Sequence, residues 1–188
     1  DIYLDTKTDT IKLDDVPFRG ATGFIDIPTD YPLDVVIAGP NSTSITDAVV
    51  DTIPVTATDG GSFYIIANGV LNPANFAANP EGRSTAFDLI VKGGAREAAA
   101  VASNVDLAVY HGATDAPAVD VIALGAGEIV DSALYTDITA YLELTPQSYD
   151  LNVTPDADNS ILVGTFRADA SGLTGGAGLI LASGFLTP

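Results

Sequence analysis

The sequence predicts an all-β protein made of two tandem antiparallel β-sandwich modules of the immunoglobulin-like kind. Three observations predict it. The chain repeats itself once, in order and in phase, and an internal repeat fixes architecture more firmly than local propensity does. Its apolar residues fall in short runs rich in Val, Ile, Leu, Tyr and Thr, separated by clusters such as Gly39-Pro40-Asn41-Ser42 and Gly60-Gly61-Ser62, which is strand-and-turn patterning. Its acid is nearly all Asp, with Glu only at Glu81, Glu97, Glu128 and Glu143; Asp suits turns and caps, where Glu favours helices.

Taken in order, Asp1-Ile2-Tyr3-Leu4 opens the first copy as a strand and matches Asp120-Val121-Ile122-Ala123. Phe24-Ile25-Asp26-Ile27 matches Tyr141-Leu142-Glu143-Leu144, and Asp34-Val35-Val36-Ile37 matches Asp150-Leu151-Asn152-Val153. The clearest pair comes last: Ile65-Ile66-Ala67-Asn68-Gly69-Val70-Leu71-Asn72-Pro73 aligns with Ile180-Leu181-Ala182-Ser183-Gly184-Phe185-Leu186-Thr187-Pro188. Strands are expected at 33–38, 63–70, 105–110, 141–145 and 179–185, with Ile66 and Leu181 facing the core. Only residues 95–102 have a helical pattern. The first module is therefore residues 1–93, and the second is 94–188, preceded by a short helical linker at about 95–102.

The second copy is led in by a strand and turn at 105–119 that the first copy lacks, so the first module is expected to want its leading strand. The first copy in turn continues past Pro73 into Ala86-Phe87-Asp88-Leu89-Ile90-Val91-Lys92. A module without an internal strand exposes backbone and apolar side chains, a liability stable proteins avoid. The strand is expected either from flanking parts of a longer array or from a neighbouring molecule by β-strand addition.

Composition narrows the partners. Lys+Arg 7 against Asp+Glu 25 gives a formal charge of -18. Such a surface repels polyanions, and phosphate binding needs clustered Lys and Arg, so no nucleic-acid partner is expected. No run approaches the roughly 20 apolar residues of a membrane helix, so no membrane insertion is expected. Cys, Met and Trp are absent, which removes disulfides, thiol catalysis and Cys-ligated metals. Hydrophobic residues at 47% let the chain bury enough surface to offset its conformational entropy.

The segment Val109-Tyr110-His111-Gly112-Ala113-Thr114-Asp115-Ala116-Pro117-Ala118-Val119-Asp120-Val121 resembles the signature of the domain of unknown function 4397 family, V-H-A-S-P-D-A-P-x-V-D-V. Gly112 and Thr114 depart from its commoner residues. Gly69-Val70-Leu71-Asn72-Pro73-Ala74-Asn75 is similar to the G-F-L-N-P-A segment of tandem members in secreted bacterial proteins. The resemblance implies a secreted or cell-surface location and a β-sandwich-like repeat. It implies no reaction and no catalytic residues.

The residues themselves point the same way. His111 is the sole histidine, so any Ser-His-Asp triad or His-based acid must use it, and no G-x-S-x-G elbow supplies a serine. A structural role is expected, with the imidazole bonded to Asp115 or to a turn backbone group. A glycosidase needs two acids at a set separation, and 25 acidic residues make any chosen pair uninformative. Asp156-Ala157-Asp158-Asn159 has the alternating oxygens of a calcium loop, but the sixth and twelfth positions are Ile161 and Arg167, where an EF-hand wants Gly and an acid. Gly175-Gly176-Ala177-Gly178 and Gly125-Ala126-Gly127 read as hairpin turns, not as a calcium β-roll or a phosphate loop.

The expectation is thus a non-enzymatic secreted or cell-surface structural or adhesive repeat protein, with a filament or matrix subunit completed by strand addition as its sharpest form. An extracellular carbohydrate- or ligand-binding module is the alternative. No catalytic, cofactor, metal or ligand-binding residue is assigned, weak Ca2+ binding at loop carboxylates such as Asp14 with Asp15 being the one cofactor left open. Expected partners are further copies or neighbouring modules of the same array, and extracellular polysaccharide.

Overall fold

A computed structural model describes residues 1–28, 32–50, 52–56 and 58–187. It is all-β, with thirteen strands, two single 3₁₀ turns (Ile45–Asp47 and Pro73–Asn75), and no α-helix among the described residues. By packing, the chain divides into Asp1–Ile65 and Ile66–Pro188. That division falls ahead of the 93/94 boundary that the repeat places.

In the first unit, β1 (Ile2–Asp5), β2 (Thr10–Leu13), β3 (Leu33–Ile37) and β4 (Ile53–Val55) form one antiparallel sheet in the order β2-β1-β3-β4. Tyr3, Val36 and Ala38 make a core cluster with Ile45 packed against it. The β1/β3 register sets Ile2 opposite Ile37, Tyr3 opposite Val36 and Leu4 opposite Val35.

β5 (Phe63–Asn68) carries the chain across the division and pairs with β6 (Asp88–Gly93) in a two-stranded sheet. The chain turns out of β5 at Gly69, whose φ of +81 a side chain rarely adopts and where a Cβ would lie 2.4 Å from the Ala86 carbonyl oxygen. Its repeat partner Gly184 also has positive φ, 116. The glycine recurs because the backbone needs it there.

The second unit holds two further sheets. β8 (Val119–Ala123), β9 (Gly127–Ala133), β11 (Ser148–Pro155) and β12 (Gly164–Asp169) form an antiparallel sheet ordered β9-β8-β11-β12. Its β8/β11 register sets Val121 opposite Val153, Ile122 opposite Asn152 and Ala123 opposite Leu151. These are the repeat counterparts of the β1/β3 pairs, so the two copies share strand order and register. In the other sheet β7 (Val105–Ala113) lies between β10 (Leu142–Leu144), antiparallel to it, and β13 (Ala177–Gly184), parallel to it.

Val109 of β7 joins Val121, Ala123, Val130, Tyr149 and Leu151 in one buried cluster, with Leu142, Leu144 and Ile180 packed on it. Residues of both sheets thus share a core, which is consistent with a β-sandwich. Gly125 and Gly127, both at positive φ, make the expected hairpin turn from β8 into β9; Gly175 lies in the turn into β13, which is not the expected hairpin, because β13 pairs with β7 and not with β12.

Two further expectations need correction. Residues 95–102 are not helical. Ala98 bridges Gly176 antiparallel, the Ala99 N–H donates to the Gly175 carbonyl at 2.9 Å, and the Ala177 N–H donates to the Glu97 carbonyl at 3.2 Å. Arg96 Nη1 and the Ala100 N–H both donate to Asp106 Oδ2, at 2.8 and 2.9 Å. These partners outweigh the helical preference of Ala, a bias of well under 1 kcal/mol per residue. Leu181 does not face the core either: it is 48% exposed, whereas the neighbouring Ile180 packs on it. A one-residue shift of phase turns a strand over.

Candidate functional site

The segment resembling the family signature runs from β7 into β8; His111, Asp115 and Asp120 bond backbone groups, while the Tyr110 and Thr114 hydroxyls are buried without a partner. His111 is 2% exposed. Its Nε2 lies 3.0 Å from the Pro117 carbonyl oxygen and its Nδ1 accepts the Ala113 N–H at 3.3 Å, which makes it the neutral tautomer with Nε2 protonated. Burial lowers its pKa, against the opposing pull of the Pro117 carbonyl. Its partner is therefore the turn backbone, not Asp115.

Asp115 instead accepts the N–H groups of Leu186 and Thr187, at 2.7 and 2.8 Å, and so fastens the chain leaving β13. The stretch 79–83 straps the same loop: Asn79 Nδ2 donates to the Thr114 and Ala116 carbonyls, and the Ala118 N–H donates to Glu81. Arg83 donates to the Tyr135 carbonyl, Thr136 and Asp137. The Asn79, Glu81 and Asp115 contacts brace the β7–β8 loop, and Arg83 ties the same stretch to the segment after β9.

Two acidic clusters occupy matching places in the repeat. Asp1, Asp14 and Asp15 bring one carboxylate oxygen each within 4.8 Å of one another, and so do Asp120, Asp131 and Asp156; in each trio one Asp is buried and two are exposed. The buried pair, Asp1 and Asp120, are repeat counterparts. Asp1 accepts the N–H of Asp15 at 2.7 Å, and Asp120 the N–H of Ser132 at 2.7 Å. Asp15 (φ 44) and Ser132 (φ 52) both have positive φ. Asp14 and Asp131 are the residues immediately before them.

The clusters differ in their counterion. In the first, Lys12 Nζ stands 3.1 Å from Asp1 and 2.7 Å from Asp14. In the second, no Lys or Arg pairs with the trio in the described ion pairs. Of the acids singled out in the sequence, Asp14 and Asp15 do come together. Asp156 leaves the 156–159 loop to join Asp120 and Asp131, while Asp158 bonds the Ser160 N–H and hydroxyl, which lower its pKa. Asp1, Asp120 and Asp131 gave no separate motif, and the signal for them lay in the repeat correspondence of Asp1 with Asp120.

A third feature is a segment that has a paired counterpart in the other copy. β10 pairs with β7 through Leu142 opposite Leu107, Glu143 opposite Asp106 and Leu144 opposite Val105. Its counterpart 24–27 in the first unit is in no strand, and no sheet pairing is formed by it among the described residues. Phe24 is 47% exposed and Ile25 38%. The Phe24 ring lies 6.0 Å from that of Tyr64, near the start of β5.

No family model matches the chain, and no curated protein or solved structure matches it either. No helix of the structure is long and apolar enough to cross a membrane.

Proposed function

We propose that the protein is a non-enzymatic, secreted or cell-surface structural repeat protein, made of two tandem immunoglobulin-like modules and completed in its first module by a strand from a neighbour, as a subunit of a filament or matrix. One observation carries this reading: among the described residues the counterpart of β10 has no sheet partner and leaves Phe24 and Ile25 exposed. Backbone left unpaired beside exposed apolar side chains invites strand addition. The non-enzymatic part is supported by His111, the sole histidine, being buried with both ring nitrogens engaged by backbone. The resemblance to the domain of unknown function 4397 family and the strong acidity support an extracellular location.

The test is the morphology and mass of the assembled material, by negative-stain microscopy with intact-mass measurement of the chain. Regular fibres are expected. Dispersed single particles at all concentrations and ionic strengths overturn the reading.

A second reading, an extracellular carbohydrate-binding module, is favoured by a separate observation. Phe76 and Phe185 stack at 4.9 Å with 4° between their planes, and both are exposed, so their outer faces are available to a sugar ring. Saturable glycan-array binding that Phe185→Ala abolishes is its expected outcome. Binding that survives this change counts against it.

A further inference from the structure

We infer that Asp120, Asp131 and Asp156 form a site for one hard divalent cation, calcium by preference, which takes in the second unit the place that the Lys12 ammonium takes in the first. The inference concerns the second unit by itself and does not rest on the strand-addition reading.

The three acids come from neighbouring strands of one sheet. Asp120 lies in β8, Asp131 in β9, and Asp156 directly follows β11. The β8/β11 register sets Asp120 opposite Thr154 and Val119 opposite Pro155, and the Asp156 N–H donates to the Ala118 carbonyl at 3.0 Å. Asp156 is thereby held beside Asp120. One carboxylate oxygen from each acid lies within 4.8 Å of the others. Oxygens bound to one calcium ion at about 2.3–2.6 Å stand at most about 5 Å apart, so the trio is within reach of a single ion. Without a positive charge among them, carboxylates so close repel one another.

Two observations besides the acids themselves point to a cation. The first is that Asp120 is 3% exposed yet only half bonded. Its Oδ1 accepts the Ser132 N–H, and no hydrogen bond or ion pair reaches Oδ2 among the described residues. Its counterpart Asp1 has both oxygens engaged. There Oδ1 accepts the Asp15 N–H, while Oδ2 accepts the Ser42 N–H at 2.7 Å, the Ser42 hydroxyl at 2.6 Å and the Lys12 ammonium at 3.1 Å. A buried carboxylate needs such partners.

The second is a cation already bound at the matching place. Lys12 bonds both Asp1 and Asp14, the counterparts of Asp120 and Asp131, and the β1/β2 ladder puts it there by setting it opposite Tyr3. In the second unit that ladder slips. Val121 pairs with Val130 but Ile122, the counterpart of Tyr3, pairs with Glu128, so the place of Lys12 falls to Ile129 or Glu128. Ile129 packs on the core cluster, and Glu128 carries the opposite sign. The same pair of aspartates therefore receives its positive charge from the chain in one copy and not in the other.

The donors name the class of ion. All three are carboxylates, with no His or Cys among them, which suits hard cations over zinc or copper. They belong to three separate segments, and Asp131 and Asp156 are exposed, so the cage can adapt and solvent can complete the shell. Calcium accepts that latitude, whereas magnesium demands a near-ideal octahedron. The expected pairing of Asp14 with Asp15 as a calcium site gives way to this one, because Lys12 already supplies the cation there.

The full chain, freed of metal by a chelator, is titrated with calcium chloride by calorimetry in about 0.15 M sodium chloride, where attraction to an acidic surface is screened within about 8 Å. Saturable binding of one ion per chain is expected, with a melting temperature that rises with calcium concentration. Asp131→Asn and Asp156→Asn, both at exposed side chains, should each weaken binding at least about tenfold, since affinity follows the charge of the ligands. Circular dichroism checks that each variant is folded. Asp14→Asn, the matching change in the first unit, should leave the affinity as it is. Equal losses from Asp14→Asn and Asp131→Asn overturn the site and assign the uptake to the net charge of -18. Absence of saturable binding overturns it outright, and magnesium bound as tightly overturns the choice of calcium.

Discussion

The guanidinium of Arg96 lies 2.8 Å from the carboxylate of Asp106, a side chain only 2% exposed. The carboxylate's other oxygen, Oδ1, is buried without a partner. The pair therefore acts in one direction: the exposed arginine stabilises a charge that the interior would otherwise reject. It also holds 95–102 in a bent, non-helical course, against that segment's helical composition.

Arg96→Ala should lower unfolding free energy by about 1–3 kcal/mol, the worth of a hydrogen bond to a charged group. The measurement is the urea midpoint at constant slope. The same change made beside Asp106→Asn should cost clearly less, since no buried charge is left; equal costs in the two backgrounds would remove the pair from the account.

His111 makes a pH prediction. Folding lowers its pKa through burial, so the unfolded chain takes up the proton first. The stability given by the neutral ring is complete above the unfolded value of about 6.5 and is lost as pH falls from there towards the lower folded value. Melting temperature should drop from pH 7.5 to pH 5.5, and His111→Gln should flatten that slope. A parent slope retained in the variant would assign the effect to the carboxylates.

The phase of β13 is tested by neighbouring substitutions. Ile180→Asp places a charge against the core cluster and should cost about 3 kcal/mol or more. Leu181→Asp, on the exposed side, should stay within about 1 kcal/mol. Reversed costs, read by thermal melts of the two variants, would turn the strand over.

Gly69→Ala should destabilise by more than about 1 kcal/mol, because it adds a Cβ at positive φ where the Ala86 carbonyl oxygen lies 2.4 Å away. Val70→Ala next to it serves as the comparison, with a smaller loss expected in the same denaturant titration.

Much of the fold was legible because the repeat preserves chemistry at matching places. Asp1 and Asp120, Val35 and Leu151, and Gly69 and Gly184 each recur because register, burial or backbone angle demands them. What was not legible depended on long-range partners. Residues 95–102 read as helix from their alanines until Gly176 and Asp106 compete for their backbone. The Leu179-Ile180-Leu181 run has no alternation from which to assign faces. The second acidic trio exists only once β8, β9 and the 156–159 loop converge on Asp120.

The parallel ladder between β7 and β13 also has a mechanical consequence. It runs from Ala177 opposite Asp106 to Gly184 opposite Ala113, and the chain enters it at the start of β7 and leaves at the end of β13. Because the strands are parallel, those two points lie at opposite ends of the ladder. Tension along the chain therefore loads it in shear, so that its hydrogen bonds share the force and must fail together instead of one after another. The bond from Asp115 to Leu186 locks the trailing end. A unit tied in this way would hold its shape when pulled from both sides.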